Sequence, residues 1–356
     1  MAGEMTYHEE CVEFDGDGVR LSGTIAVPAD TPPVPGVVLI GGSGPADRHN
    51  DGLFDALRDA FVDDGMAVLT YDKRGVGGST GDWASATVDQ LARDAAAGLS
   101  TLRSHPRVVA EAVGILGHSE GGWVALRVCA RFAQPRYLVV TSCPAVSFLE
   151  SEVFAATRAG MEHGAARRLF EELRKGSRGG RDAAAAQQIL VKYRNGSRDA
   201  ALDDAEFVLD PARWRQFAAW ADYDPSHDLD RVATPTLAVF GADDPLVPVQ
   251  ASAERFDATA TRAGRIQQTL VMPQAGHRLR STGEMAGFGR GYPGLLIDWC
   301  RACTECHEGG RSEGGPPRRL SWSAVSTREG EALSWSISGS IGPIAERRGV
   351  RSATPA

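Results

Sequence analysis

The chain has 356 residues, 42% of them hydrophobic and 24% charged, a balance that excludes a disordered or collagen-like protein and allows a large buried core. With 38 Lys and Arg against 46 Asp and Glu, the net charge is -8, which excludes the basic footprint of a nucleic-acid binder. No apolar run is long enough to span a bilayer, and the acidic first 20 residues lack a signal-peptide core, so a cytoplasmic location is expected.

Residues 11–14 and 19–27 flank Asp15-Gly-Asp-Gly18 and predict a β-hairpin. Short apolar runs bounded by Gly or Pro follow at 37–40, 67–71, 112–116, 137–141, 236–240 and 268–272. Such runs suit strands buried on both faces. Helical patterns lie between them at 52–64, 88–104, 120–132 and 248–263. The alternation predicts an α/β fold with a mostly parallel central sheet flanked by helices. One interval breaks the rhythm: between the runs near 140 and 236 the patterns are helical, at 151–174, 182–194 and 211–222. Residues 146–223 are therefore read as a helical cap, inserted after the C-terminal edge of a strand, where ligands bind in such sheets.

The expected organisation is a core of residues 1–145 and 224–301, the cap at 146–223, and a C-terminal tail at 302–356. Composition marks the tail: it holds no Asp and no Lys, but seven Arg and six Glu, and is rich in Ser, Gly and Pro. Poor order is expected there, although 332–341 alternates weakly and could pair as a strand.

The strongest chemical signal is Gly117-His118-Ser119-Glu120-Gly121-Gly122, which follows a strand pattern and opens a helix pattern. A Gly-x-Ser-x-Gly turn in that context lifts the serine hydroxyl to the sheet edge. The Glu120 amide then lies at a helix N-terminus, where unpaired N–H groups stabilise an oxyanion. A serine hydroxyl needs a base. Of eight histidines, His277 is the best placed, in a loop directly after the last strand pattern, although His49, His163 and His227 are less easily excluded. The acid belongs to an earlier edge loop, Gly241-Ala-Asp-Asp-Pro-Leu-Val-Pro248, where Asp243 or Asp244 can serve. The glycine-rich loop after residues 37–40 offers the Ser43 amide as a second oxyanion donor. Asp47-Arg48-His49-Asn50-Asp51 beside it could line the pocket, but is read first as an ion-pairing cluster that orients that loop.

These motifs resemble the α/β-hydrolase superfamily, and more closely its bacterial branch of carboxylesterases and serine aminopeptidase-like proteins. The closer resemblance rests on Gly42-Ser-Gly-Pro-Ala-Asp-Arg48, Tyr71-Asp-Lys-Arg-Gly-Val-Gly-Gly-Ser79, the Ser119 turn and Asp222-Tyr-Asp-Pro225, and covers residues 10–301. It implies serine hydrolysis of a small-molecule carboxylic ester, or less often an amide or thioester, without a cofactor; no metal is expected, and the charge balance argues against a nucleic-acid partner. It leaves a homo-oligomer open. In the family pattern the acid comes three residues after the glycine, which selects Asp244. The implied triad is Ser119, Asp244 and His277, with the backbone N–H groups of Ser43 and Glu120 as oxyanion hole.

An aminopeptidase or amidase would use the same triad and needs a cap carboxylate for the substrate amine; Glu150, Glu152, Glu162, Glu171 and Glu172 are available. A non-catalytic binding protein is disfavoured because all three triad residues are present. The six cysteines form no disulfide framework, as a reducing compartment requires. Cys300, Cys303, Cys306 and His307 include a Cys-x-x-Cys-His match to a haem-attachment motif. Four ligands within eight residues leave little chain for a tetrahedral zinc cage, and the cluster is read as incidental.

Overall fold

The central apolar runs become strands shielded on both faces. In β6 (Leu138–Thr141) and β7 (Thr236–Gly241) every residue is buried, and in β5 (Val108–His118) the last seven are. The structure, a computed structural model, describes residues 7–29, 31–196, 210–282, 287–289, 291–305, 319–325 and 332–338. Together with β1 (Tyr7–Asp15), β2 (Arg20–Pro28), β3 (Val34–Ile40), β4 (Ala67–Tyr71) and β8 (Gln267–Met272), these strands form an eight-stranded sheet. Its order is β1-β2-β4-β3-β5-β6-β7-β8. β1 and β2 form the expected antiparallel hairpin, β2 runs antiparallel to β4, and all remaining pairs are parallel. Helices α1 (Leu53–Asp63), α2 (Val88–Arg103), α3 (Glu120–Arg131) and α9 (Val249–Ala263) connect the parallel strands.

The order of strands places the site. From β3 the chain steps outward to β4, returns past β3 to β5, and then builds β6 to β8 in the other direction. Growth of the sheet therefore reverses between β3 and β5, and a crevice opens at their C-terminal ends. Ile40 and Gly117 pair at that edge, so the loop after β3 and the turn after β5 are neighbours.

Between β6 and β7 lie α4 (Phe148–Arg158), α5 (His163–Arg178), α6 (Ala183–Gly196) and α7 (Pro211–Trp220), then the single-turn α8 (Ser226–Leu229). The pattern at 151–174 predicts one helix; the chain forms two. Gly160 takes φ +108° after α4, and the Glu162 carboxylate accepts the N–H groups of Gly164 and Ala165 to start α5. Such a cap satisfies donors that the first turn leaves without partners. Ser147 and Glu150 form a reciprocal capping box on α4.

Aromatic rings fasten these helices to the core. Trp123 of α3 stacks on Trp220 of α7 with centroids 5.9 Å apart, and meets Tyr223 edge-on at 5.4 Å. The Trp220 indole N–H donates to the Ala86 carbonyl at 3.1 Å. Beneath them the Arg127 guanidinium grips the fully buried Asp228 at 2.8 and 2.9 Å, and Tyr223 donates its hydroxyl to the same carboxylate at 3.1 Å.

After β8 comes α10 (Tyr292–Glu305), which continues past the boundary at 301 read from composition. Leu295, Leu296, Trp299 and Cys300 are buried along it, and Arg301 pairs with Asp64 at 2.6 Å. This apolar face at helical spacing explains its length. Cys300 is therefore a core residue, while Cys306 and His307 lie outside the described residues. The chain divides into two units, Met1–Thr304 and Glu305–Ala356. In the second, β9 (Arg319–Val325) and β10 (Ala332–Ser338) pair antiparallel with Trp322 opposite Trp335. Among the described residues, no helix is long and apolar enough to cross a membrane.

Candidate active site

Missing side chains build the Ser119 turn. A Cβ on Gly117 would lie 2.2 Å from the Gly121 carbonyl oxygen, and one on Gly121 would lie 2.2 Å from that of Ile40. Strand and helix thus approach too closely for any side chain. Ser119 itself takes φ 56° and ψ −122°, a conformation a non-glycine residue adopts only when its surroundings enforce it. Its N–H donates to Thr141 at 2.8 Å, and its carbonyl accepts Gly122 N–H at 2.9 Å.

His277 meets this serine from the loop after β8, with Nε2 3.1 Å from Ser119 Oγ. Its Nδ1 lies 2.8 Å from Asp244 Oδ2. The Asp244 side chain is fully buried, and its other oxygen accepts the N–H groups of Leu246 and Val247 at 2.8 and 3.1 Å. The two aspartates of the loop divide the work. Asp243 N–H donates to Ala275 at 2.9 Å, and its carboxylate accepts the Thr282 hydroxyl at 2.6 Å. Asp243 thereby ties the acid loop to the histidine loop. Against the back of His277 packs His118, with ring centroids 5.1 Å apart and Nδ1 3.1 Å from Thr141 Oγ1. Burial holds the His118 imidazole well below its usual pKa, and the positive charges of His277 and Arg278 add to this. A neutral ring therefore backs His277. His49, one of the three alternative bases, pairs instead with Asp55 at 2.8 Å.

The loop after β3 passes over the serine: a Cβ on Gly42 would sit 3.5 Å from Ser119 Cβ. Asn50 Oδ1 accepts Gly42 N–H at 3.4 Å. Arg48 pairs with Asp72 at 2.7 Å and also reaches Ser22 and Thr24. Burial alone would raise the Asp72 carboxyl, but hydrogen bonds from Arg48 and Gly78 hold it below its ordinary value. The cluster at 47–51 thus orients the loop, as its composition suggests. Lys73, just past β4, donates from Nζ to the carbonyls of Gly42 at 2.5 Å and Gly44 at 2.9 Å, and to Glu120 Oε1 at 2.9 Å. The other Glu120 oxygen accepts Gln216 of α7 at 2.9 Å, and Gln216 also reaches Ser43 Oγ at 3.0 Å. The Glu120 N–H opens α3, where backbone donors have no partner inside the helix.

These residues border a cavity of about 600 Å³ between the sheet edge and the helices that follow β6, lined by Ser43, Ser119, Trp123, Phe170, Phe217 and Glu152, among others. Of the aromatic side chains in segment 146–223, Phe148, Phe170 and Phe217 reach the cavity; Trp214 and Trp220 are buried, and Phe207 lies outside the described residues. Of the five cap carboxylates, Glu152 lines the cavity. Glu150 and Glu162 cap helices, and Glu172 pairs with Lys192 at 3.0 Å. Burial, reinforced by the charge of Glu120, pushes the Glu152 carboxyl up to about 7. Lys73 and Gln216 carry no role in the sequence reading. Lys73 sits within a quoted motif, but Gln216 has no local signal, because its partners lie 173 and 96 residues away. Among the described residues, no three His, Cys, Asp or Glu side chains converge as a metal site would require.

Comparison with known proteins agrees with this architecture. The family model described as X-Pro dipeptidyl-peptidase (S15 family) matches residues 17–278. No curated protein matches the sequence. The esterase Pf2001 of Pyrococcus furiosus superposes with a TM-score of 0.54 at 16% identity, over 85% of this chain and 90% of that one. DcsB, solved with a substrate analogue, gives 0.57 at 18% identity over 85% and 100%. A hypothetical protein of Pseudomonas aeruginosa, PA2218, gives 0.53 at 16% over 77% and 88%. At these identities the likeness extends to the α/β-hydrolase fold.

Proposed function

The chain belongs to the X-Pro dipeptidyl-peptidase (S15) family, and on that premise we propose that it is a serine hydrolase cleaving carboxylic esters of small or medium acyl substrates. The observation that carries this reading is the hydrogen-bonded chain Ser119–His277–Asp244, whose Ser119 and His277 side chains line an open cavity. His277 takes the Ser119 proton as Oγ attacks the carbonyl carbon, and Asp244 holds the imidazole and stabilises its cation. The N–H groups of Ser43 and Glu120 receive the oxyanion. The alcohol leaves with the proton from His277, and water then releases the acid from the acyl-enzyme by the same steps. The helices between β6 and β7 serve as lid and supply the apolar wall for the acyl chain.

Ser119→Ala tests the reading. Turnover of short p-nitrophenyl esters should fall by at least about 10³-fold with the melting temperature retained. A folded variant with full activity would contradict it.

Glu152 favours a second reading, in which the acyl group carries an ammonium, as the N-terminus of a peptide does. Glu152 lines the cavity with Arg213, and burial and the charge of Glu120 raise its carboxyl to about 7, so it offers a substrate cation a carboxylate only as pH rises through that value. The test compares the ester of a permanently charged trimethylammonio acid with that of a neutral isostere. On this reading, KM for the charged ester alone falls as pH rises through about 7, as Glu152 ionises, and Glu152→Gln removes the difference. Parallel profiles for both esters would return the assignment to neutral acyl groups.

A further inference from the structure

We infer that Lys73 is a positioning residue for the oxyanion hole: its ammonium fixes and polarises the peptide that joins Gly42 to Ser43. The inference rests on the proposed role of the Ser43 N–H.

The observation is an unusual use of a buried lysine. The Lys73 side chain is 9% exposed and spends its ammonium on two backbone carbonyls of one loop, Gly42 and Gly44, as well as on Glu120. Charge neutralisation alone would need only the carboxylate. The backbone of Lys73 is tied to the same loop, since its N–H donates to the Ala46 carbonyl at 3.1 Å. Gly42 is consequently clamped on both sides, its N–H by Asn50 and its carbonyl by Lys73.

Peptide geometry gives the clamp its consequence. The described peptides are trans, so the carbonyl of Gly42 and the N–H of Ser43 point in opposite directions across one rigid plane. Holding the carbonyl against Lys73 holds the Ser43 N–H on the far side of that plane. An ammonium on a carbonyl oxygen also draws density from the amide nitrogen and strengthens its N–H as a donor, as in any polarised hydrogen-bond chain. The fixed orientation matters most, because donors set before the reaction need no reorganisation as charge develops. Glycine on either side of Ser43 gives the loop freedom that would otherwise let this peptide rotate. The partner of Lys73 fits the same purpose. Glu120 offsets the lysine charge and is held by Gln216, so the oxyanion faces aligned dipoles beside a neutral pair.

The experiment measures Lys73→Met, Lys73→Arg and the double variant Lys73→Met/Glu120→Gln in the full chain. A trifluoromethyl ketone is the probe. Ser119 Oγ adds to its carbonyl carbon, the serine proton passes to His277, and the carbonyl electron pair becomes an oxyanion. The matching trifluoromethyl carbinol fills the same space without an oxyanion. For Lys73→Met, ketone affinity and kcat should each fall about 10²-fold, the loss typical of one oxyanion donor. Carbinol affinity and KM should stay within about threefold. Lys73→Arg should recover most of the loss. Equal weakening of ketone and carbinol, or an unchanged kcat, would overturn the inference, because a purely structural lysine predicts that pattern. Recovery of wild-type kcat in the double variant would overturn it too, since Lys73 would then serve only to neutralise Glu120. If Lys73→Met does not fold, Lys73→Gln, with a neutral donor of similar reach, is judged by the same ketone-to-carbinol ratio. Ser119→Ala separates the two levels of the account. Wild-type turnover that depends on Ser119 but not on Lys73 removes the inference alone, whereas turnover independent of Ser119 removes both.

Discussion

At the scale of single residues, Asp243 and Asp244 separate by environment. Asp244 is fully buried against His277 and two backbone donors, while Asp243 bonds Thr282 at an exposed position. Asp244→Asn leaves His277 without its anionic partner and should lower kcat by about 10³–10⁴-fold, the scale of the comparable change in a serine protease. Asp243→Asn keeps an acceptor for Thr282 and should stay within about tenfold. Kinetics of the two variants on one ester decide it, and a crippled Asp243→Asn beside a mild Asp244→Asn would shift the acid by one residue. Local motifs point to Ser119 and His277, which the fold brings within hydrogen-bond distance, and the spacing from Gly241 separates the aspartates only through the family resemblance. Glu152 was one of five equal cap carboxylates in the sequence, since only folding shows which of them faces a cavity. Its raised pKa predicts a stability effect. Folded Glu152 keeps a proton that the unfolded chain has released, so its contribution is present below pH 4.5 and is lost as pH rises through about 7. Glu152→Gln should therefore leave Tm unchanged at pH 4.5 and raise it at pH 8 by about 2–4 °C, allowing for its partial contact with solvent. An equal gain at both pH values would refute the assigned cause.

At the scale of elements, the helices between β6 and β7 are held by side chains as well as by their two connections. Asp228 precedes β7 and receives Arg127 from α3 and Tyr223 from the end of the cap. Asp228→Ala would leave the Arg127 guanidinium with Asp89 as its remaining carboxylate and should destabilise the protein by about 1.5–3 kcal/mol. Chemical denaturation measures this, and a loss under about 1 kcal/mol would show that water reaches the pair. Trp220→Ala should cost about 3–5 kcal/mol through the cavity it leaves between cap and core. The parallel strands and their covering helices were legible because buried runs and amphipathic periods are local. The break at Gly160 was not, because apolar spacing continues across it through Val153, Met161 and Leu169. Helix α10 was obscured because composition changes near the residues where the fold ends, and composition alone does not reveal that Leu296 and Cys300 are buried.

At the scale of the whole molecule, every residue assigned to the chemistry lies in the unit Met1–Thr304. A chain ending at Glu305 preserves α10 and should hydrolyse esters at the full-length rate per reactive serine. One ending at Arg301 removes the last turn of α10 and the Arg136 bond to the Cys303 carbonyl, and should melt several degrees lower, the effect of about 1–2 kcal/mol. Equal melting of the two would show that the last turn contributes nothing. The central claim, that Ser119 is the nucleophile a substrate acylates, is tested most directly by mass spectrometry of the full-length protein after a fluorophosphonate has phosphonylated its reactive serine with loss of fluoride. The account predicts one adduct, on the peptide that carries Gly117-His118-Ser119-Glu120, absent in Ser119→Ala and much slower in Asp244→Asn. An esterase-active protein that gains no mass at Ser119, or gains it at another residue, would contradict it.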